Sequence, residues 1–137
     1  MRRVCYSLAL FGVFMFGVFG ITACDRQQRE VKIADCQFTV VQPEDIPEEL
    51  LVLIDERKEK PFRMSYEDQG YLYIIQGYGM KEGGGYSITV DSLYETKNQI
   101  HFATTLHGSE QKEKEGNTTP YIVVKLEQIE KSIDFEN

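Results

Sequence analysis

Hydrophobic and polar positions alternate along much of the chain after residue 60, with the two-residue period of β-strands. Residues 62–66 and 71–78 are aromatic and β-branched runs, and the turn-rich segment 67–70 between them predicts a hairpin. Residues 86–91 and 100–107 also alternate and flank a turn at 97–98, which predicts a second antiparallel pair.

Three further segments extend this β-rich pattern. Residues 121–126 are almost continuously apolar, as expected of a central strand that is covered on both faces. Residues 38–41 and 133–135 are short and predict a first strand and an edge strand. Residues 108–119 lack an apolar period and predict a charged, flexible excursion.

A single helix is predicted before the hairpin. Asp45 and Glu48 have the spacing of a capping box, and Pro47 suits a first helical turn. Apolar positions then recur at helical spacing, and Pro61 ends the segment. The fold class is therefore α+β: an antiparallel sheet of about five or six strands with one helix packed on it.

The N-terminus has the pattern of a secretory signal. Arg2 and Arg3 precede an uncharged stretch of about twenty residues, which gives a basic region followed by an apolar region. The stretch ends in Ile-Thr-Ala-Cys, which resembles the lipobox of bacterial lipoproteins, in which the cysteine is acylated and the chain is cut before it. The resemblance implies a signal peptide over residues 1–23 and a lipid on Cys24. An uncleaved membrane anchor is the alternative.

Both interpretations place the rest of the chain on the outer face of the cell membrane. Residues 24–35 are predicted to be a lipidated cysteine with a polar tether, and residues 36–137 a single domain. If Cys24 carries lipid, Cys36 is a lone thiol and is expected to be buried. If Cys24 is unmodified, a Cys24–Cys36 disulfide can form outside the cell.

Charge excludes one class of partner. The formal charge of the chain is −7, and it becomes more negative when Arg2 and Arg3 leave with the signal. Nucleic acid is therefore an unsuitable partner, and a covalent lipid is a better membrane attachment than electrostatic adhesion.

Catalytic, metal and cofactor motifs are absent from the sequence. His101 and His107 lie six residues apart on one predicted strand, roughly 20 Å, and are expected to be exposed and to bind no metal. No nucleophile elbow occurs, and the glycine-dense segment lacks Walker spacing. The sequence predicts a protein that is not an enzyme and needs no cofactor.

The most distinctive segment is a glycine-rich loop that ends in an aromatic residue. It joins two strong strands, and the predicted partner-binding residues are those of this loop and of the later turn: Met80, Lys81, Glu82, Gly83, Gly84, Gly85, Tyr86, Thr119, Pro120 and Tyr121. The alternative is a wide turn whose glycines supply positive φ.

Residues 71–77, the Gly84-Gly85-Tyr86 loop and the Thr119-Pro120-Tyr121 turn resemble the PrcB-type C-terminal domain of protease-complex subunits. The resemblance covers residues 71–126. In that family the loop often reads Pro-Thr-Gly-Gly-Tyr, and here Glu82 and Gly83 stand in place of Pro and Thr. It implies a non-catalytic exported protein that associates with a surface or secreted protease.

Two other functions remain open at this point. A Gly-Tyr loop on a β scaffold also resembles chagasin-type inhibitors of cysteine proteases, although Thr119 stands where those inhibitors have arginine before proline. A ligand-binding or scaffolding lipoprotein of the envelope is the third possibility. The prediction retained is a lipid-anchored, protein-binding accessory subunit.

Overall fold

The computed structural model of the chain describes residues 31–108 and 116–136. The predicted signal peptide and Cys24 lie outside these ranges, as does most of the predicted excursion. No helix in the described ranges is both long and apolar enough to cross a membrane. The elements are, in order, β1 (Ala34–Asp35), β2 (Thr39–Val40), a 3-10 turn (Pro43–Asp45), α1 (Glu48–Arg57), β3 (Pro61–Asp68), β4 (Tyr71–Tyr78), β5 (Lys81–Glu82), β6 (Ser87–Glu95), β7 (Gln99–His107), β8 (Asn117–Thr118), β9 (Tyr121–Glu127) and β10 (Ser132–Glu136).

The first large sheet, here called the hairpin sheet, has the strand order β2-β9-β4-β3. The predicted hairpin forms, with β3 and β4 antiparallel in register from Pro61↔Tyr78 to Asp68↔Tyr71. Both turn residues have positive φ, 50° at Gln69 and 83° at Gly70, as a two-residue turn between twisted strands requires. The apolar strand β9 lies between β2 and β4, which confirms the prediction of a central strand.

The second large sheet, here called the C-terminal sheet, has the order β1-β6-β7-β10. Strands β6 and β7 form the predicted second antiparallel pair, with a register shift between Val90 and Ser92 that marks a bulge. Strand β10 is an edge strand, as predicted, but it runs parallel to β7, with Asp134 opposite His101.

The hairpin sheet is the middle of three layers. One of its faces packs against the C-terminal sheet through a cluster of buried residues that includes Ile74, Phe102 and Val124. Its other face packs against α1, where Leu50 and Ile54 are fully buried. Each fully buried leucine or isoleucine contributes about 1.5–3 kcal/mol to folding.

The helix forms where the sequence predicts it, but its start differs. Pro47 occupies the N-cap, and no side chain caps the helix. The predicted capping box is therefore wrong, because Asp45 belongs to the preceding 3-10 turn. Glu48 and Glu49 in the first turn and Arg57 in the last turn instead complement the helix dipole.

The prediction of one antiparallel sheet is corrected by the structure. The described residues form two four-stranded sheets and one two-stranded sheet, and one strand pair is parallel. The two large sheets face each other because alternate residues of both are apolar and bury one another.

Ala34–Asp35, from the predicted tether, pair with β6. Cys36 is half-buried rather than buried, and burial is the main cause that raises the pKa of its thiol.

Candidate functional site: an uncharged groove at the sheet edges

The two segments that the sequence singles out for partner binding meet in the structure. Lys81 and Glu82 form β5 and pair with Thr118 and Asn117 of β8. The backbone N–H of Gly83 donates to the carbonyl of Gly116 at 2.7 Å, which extends this contact. The glycine-rich loop and the turn before β9 therefore form one continuous structure, although they are more than thirty residues apart in the chain.

Backbone hydrogen bonds hold both segments on the hairpin sheet. The N–H of Tyr78, at the end of β4, donates to the carbonyl of Pro120 at 3.0 Å. The N–H of Met80 donates to the carbonyl of Glu59, at the end of the helical segment, at 3.1 Å. The start of the loop is thus hydrogen-bonded to the segment that follows α1, and the turn is hydrogen-bonded to β4 of the sheet.

Tyr86 closes the loop on itself. Its hydroxyl donates to the carbonyl of Glu82 at 2.8 Å, and the ring is half-buried. Between these residues Gly83 and Gly85 each have a φ of +81°, which other L-residues rarely adopt. The sequence interpretation that the glycines supply positive φ is confirmed at these two positions. This interpretation and that of a docking loop are compatible, because the bend places Tyr86 at the surface.

An open groove, here called the edge groove, lies beside the loop and between the edges of the two large sheets. Its volume is about 400 Å³. Its walls come from the segment before α1, the end of the glycine-rich loop with the start of β6, and the turn with the start of β9: Val40, Val41, Gln42, Pro43, Ile46, Gly85, Tyr86, Ile88, Thr118, Thr119, Pro120, Tyr121, Ile122 and Val123.

The edge groove carries no formal charge. Its lining in the described chain includes no Asp, Glu, Lys, Arg or His, although the whole chain has a formal charge of −7. Tyr121 lines it, and burial raises the pKa of this phenol above its ordinary value, with the nearby Asp55 carboxylate as a further cause. The groove therefore offers a neutral, partly apolar surface.

Half of the predicted partner-binding residues line this groove: Gly85, Tyr86, Thr119, Pro120 and Tyr121. The other five, residues 80–84, do not line it. Met80 is exposed, and its sulfur accepts a hydrogen bond from Asn117 Nδ2 at 3.3 Å. Lys81 instead lines a separate cavity next to Phe62 and Gly77.

Sequence reasoning missed the third wall of the groove, residues 40–46. This segment lies between β2 and α1, and the N–H of Val41 donates to the carbonyl of Val123 at 2.8 Å. The sequence predicts a strand over residues 38–41 and a helix start near Asp45 and Pro47, and it assigns neither to a site. The composition of residues 40–46 contains no signal for a groove, because this wall forms only when the segment pairs with a strand some eighty residues later.

The outer edge of β6 is open next to the groove. Strand β1 pairs only with Tyr94 and Glu95, at the far end of β6. Before the bulge at Asp91, no strand in the described ranges pairs with this edge of residues 87–90. Free backbone N–H and C=O groups along such an edge can pair with an extended segment of another protein.

The histidines do not both behave as predicted. His107 is exposed, as expected, but only 7% of the surface of His101 is accessible. The prediction of an exposed His101 is therefore wrong. Its Nδ1 lies 2.9 Å from a carboxylate oxygen of Asp134 and 3.2 Å from one of Glu136, both on β10. These three side chains are here called the histidine–carboxylate cluster.

Comparison with known proteins adds one match. The family model described as PrcB C-terminal matches residues 72–127, from β4 to the end of β9. This confirms the resemblance that the sequence indicates over residues 71–126. The matched segment contains the glycine-rich loop, the turn and two walls of the edge groove. No curated protein and no solved structure matches the chain.

Proposed function

We propose that this chain is a membrane-anchored, non-catalytic accessory subunit that binds a protein partner through the edge groove, and that this partner is an extracytoplasmic protease. The observation that carries the proposal is the uncharged lining of the groove within an acidic chain. A phosphate, a metal ion or a charged metabolite needs opposite charges in its site. An apolar and neutral-polar stretch of polypeptide needs none.

The shape of the site favours an extended segment of the partner. Such a segment can pair its backbone with the open edge of β6 at residues 87–90 and place alternate side chains in the groove. Tyr86 and Pro120 then supply rigid, apolar contacts that lose little conformational entropy on binding. The glycine-rich loop is held by β5–β8 pairing, so less ordering is needed when the partner binds.

The family match supports the choice of partner. The resemblance implies association with a protease complex, and the match to PrcB C-terminal covers the loop and the turn that line the groove. The matched residues include no nucleophile elbow, and the described lining of the groove includes no Asp, Glu, His, Lys or Arg. These observations support a role in which the partner carries out the chemistry.

Lipid anchoring at Cys24 completes the proposal. Roughly ten residues separate Cys24 from the start of β1 at Ala34, and an extended chain of that length reaches at most about 35 Å. The domain would therefore stay close to the membrane surface. Confinement there raises the effective concentration of the groove for any partner on the same membrane.

Copurification from native membranes tests the proposal. The chain is expressed with a C-terminal affinity tag, crosslinked mildly and recovered, with Cys24→Ser as its unanchored counterpart. We expect the lipidated chain to recover one protease that retains peptidase activity, and the Cys24→Ser chain to recover much less of it. Mass spectrometry of the N-terminal peptide establishes whether Cys24 is acylated.

Three results would each contradict a part of this proposal. Repeated recovery of no specific protein would reject the accessory-subunit function. Recovery of a protease that the chain inhibits would reject a supporting role and favour the chagasin-like alternative. Equal recovery by the Cys24→Ser chain would reject only the contribution of the anchor.

A further inference from the structure

The geometry points to a divalent-cation site at the histidine–carboxylate cluster, with His101 Nδ1, Asp134 and Glu136 as its protein ligands. Sequence reasoning predicts no metal site because His101 and His107 are too far apart and no Cys, Asp or Glu lies near them at ligand spacing. The structure instead places His101 beside two carboxylates from the last strand. The proposal is independent of the edge groove and of the proposed partner.

Strand pairing explains why the three side chains meet. Strand β10 lies parallel to β7, with Asp134 opposite His101 and Glu136 two residues further along. Side chains two residues apart on a strand point to the same face. The intervening Phe135 packs toward the core, so Asp134 and Glu136 share the outer face of the sheet with His101.

The distances suit a metal ion. All three donor atoms lie within 4.8 Å of one another, and Nδ1 is 2.9 Å and 3.2 Å from the two carboxylate oxygens. Metal–ligand bonds of about 2.1 Å that meet at roughly 90–110° hold their donor atoms about 3.0–3.4 Å apart. Small adjustments of the carboxylates, which are 42% and 48% exposed, would complete the coordination.

Charge gives an independent argument. Two carboxylates face one ring nitrogen, and no Lys or Arg in residues 31–108 and 116–136 forms an ion pair with either of them. A neutral imidazole carries no net charge, and an imidazolium would balance only one of the two carboxylates. A divalent cation would balance both charges and accept the lone pair of Nδ1.

His101 is held for this role by its surroundings. Its side chain is only 9% exposed, and its ring stacks on Tyr94 with centroids 4.8 Å apart. The Nδ1 edge is directed at the carboxylates, while Nε2 is buried and has no hydrogen-bond partner in the described chain. The nitrogen that meets the half-exposed carboxylates is therefore Nδ1, and the unpartnered Nε2 takes no part in the site.

The ligand types define the class of cation. One imidazole and two carboxylates suit Zn²⁺, Mn²⁺ or Fe²⁺, and no thiolate is present in the cluster. Three protein ligands leave positions for water. Because the ligands come from two strands, the ion would fasten β10 to the sheet and stabilise the folded state by mass action.

Mn²⁺ titration of the full-length chain in detergent, followed by NMR of the imidazole signals, tests the site. The chain has two histidines. The imidazole signals that disappear in His107→Gln belong to His107, and those that remain belong to His101. We expect substoichiometric Mn²⁺ to broaden the His101 signals far more than those of His107, because broadening falls steeply with distance. Zn²⁺ should compete with Mn²⁺ and raise the temperature midpoint of unfolding.

Two conservative substitutions locate the ligands. Asp134→Asn and Glu136→Gln keep the size of half-exposed side chains, and each should weaken Mn²⁺ binding at least tenfold. Asp91→Asn, a matched change of an exposed carboxylate on β6, should leave it unchanged. Circular dichroism checks that each variant is folded. If neither Mn²⁺ nor Zn²⁺ binds stoichiometrically, the cluster is only a histidine–carboxylate ion pair and the proposal is wrong. Binding that survives both substitutions would also overturn it.

Discussion

The edge groove and the histidine–carboxylate cluster occupy the same domain but have opposite chemistry. The groove has an uncharged lining that joins backbone edges from both large sheets. The cluster consists of three ionisable side chains on the outer face of the C-terminal sheet. The first suits recognition by shape and backbone pairing, and the second suits recognition by charge. A single small domain can therefore carry two sites whose ligands do not compete.

This contrast predicts that the two sites respond to different substitutions. Side chains that lie far apart and share no contacts usually contribute independently. A change in the groove should affect partner binding and leave cation binding intact, whereas Asp134→Asn should do the reverse. Coupled losses at both sites in folded variants would contradict this separation.

The largest effect is expected from Tyr86→Ala. It removes an aromatic ring from the groove and the hydrogen bond to the carbonyl of Glu82. We expect partner binding to weaken at least tenfold, because buried aromatic residues carry much of the energy of an interface. The free energy of unfolding should fall by only about 1–2 kcal/mol. Binding is measured with the purified partner, and stability by urea unfolding.

Tyr71→Ala is the matched control for that change. Tyr71 is also a surface tyrosine, 41% exposed, but it lies at the opposite end of β4 from the loop. Partner binding should remain close to that of the unchanged chain. If Tyr86→Ala unfolds the domain, the side chain belongs to the core and the contact role assigned to it is wrong.

A smaller effect is expected from Gly85→Ala. Gly85 lines the groove with a φ of +81°, and an L-residue there costs about 1–2 kcal/mol of stability. The neighbouring Gly84 does not have positive φ, so Gly84→Ala provides a matched control for the added methyl group. Urea unfolding should separate the two variants. Equal stability would show that the bend at Gly85 is not required.

Local features of this fold were predictable from sequence, and nonlocal ones were not. The β3–β4 hairpin follows from two adjacent runs and a Gln-Gly turn, so its register is encoded within about twenty residues. The division into two sheets depends on which strands pair across the chain. Alternation identifies a buried face, but it does not indicate which sheet covers that face.

The two sites also differ in how much of each can be predicted from the sequence. Glycine, proline and tyrosine mark the loop and the turn of the groove, and the sequence singles them out. The third wall at residues 40–46 is ordinary in composition. His101, Asp134 and Glu136 are also unremarkable in sequence, since parallel pairing between β7 and β10 alone brings them together. The buried state of His101 could not be predicted without that pairing.

Site-specific photocrosslinking tests the central claim most directly. A photoreactive phenylalanine analogue replaces Thr119 at the groove or, as a control, Val52, which is exposed on α1. Both chains are irradiated in native membranes, and the adducts are identified by mass spectrometry. The account predicts that position 119 captures a protease and that position 52 does not. Capture of the protease from position 52 alone, or equally from both positions, would contradict it.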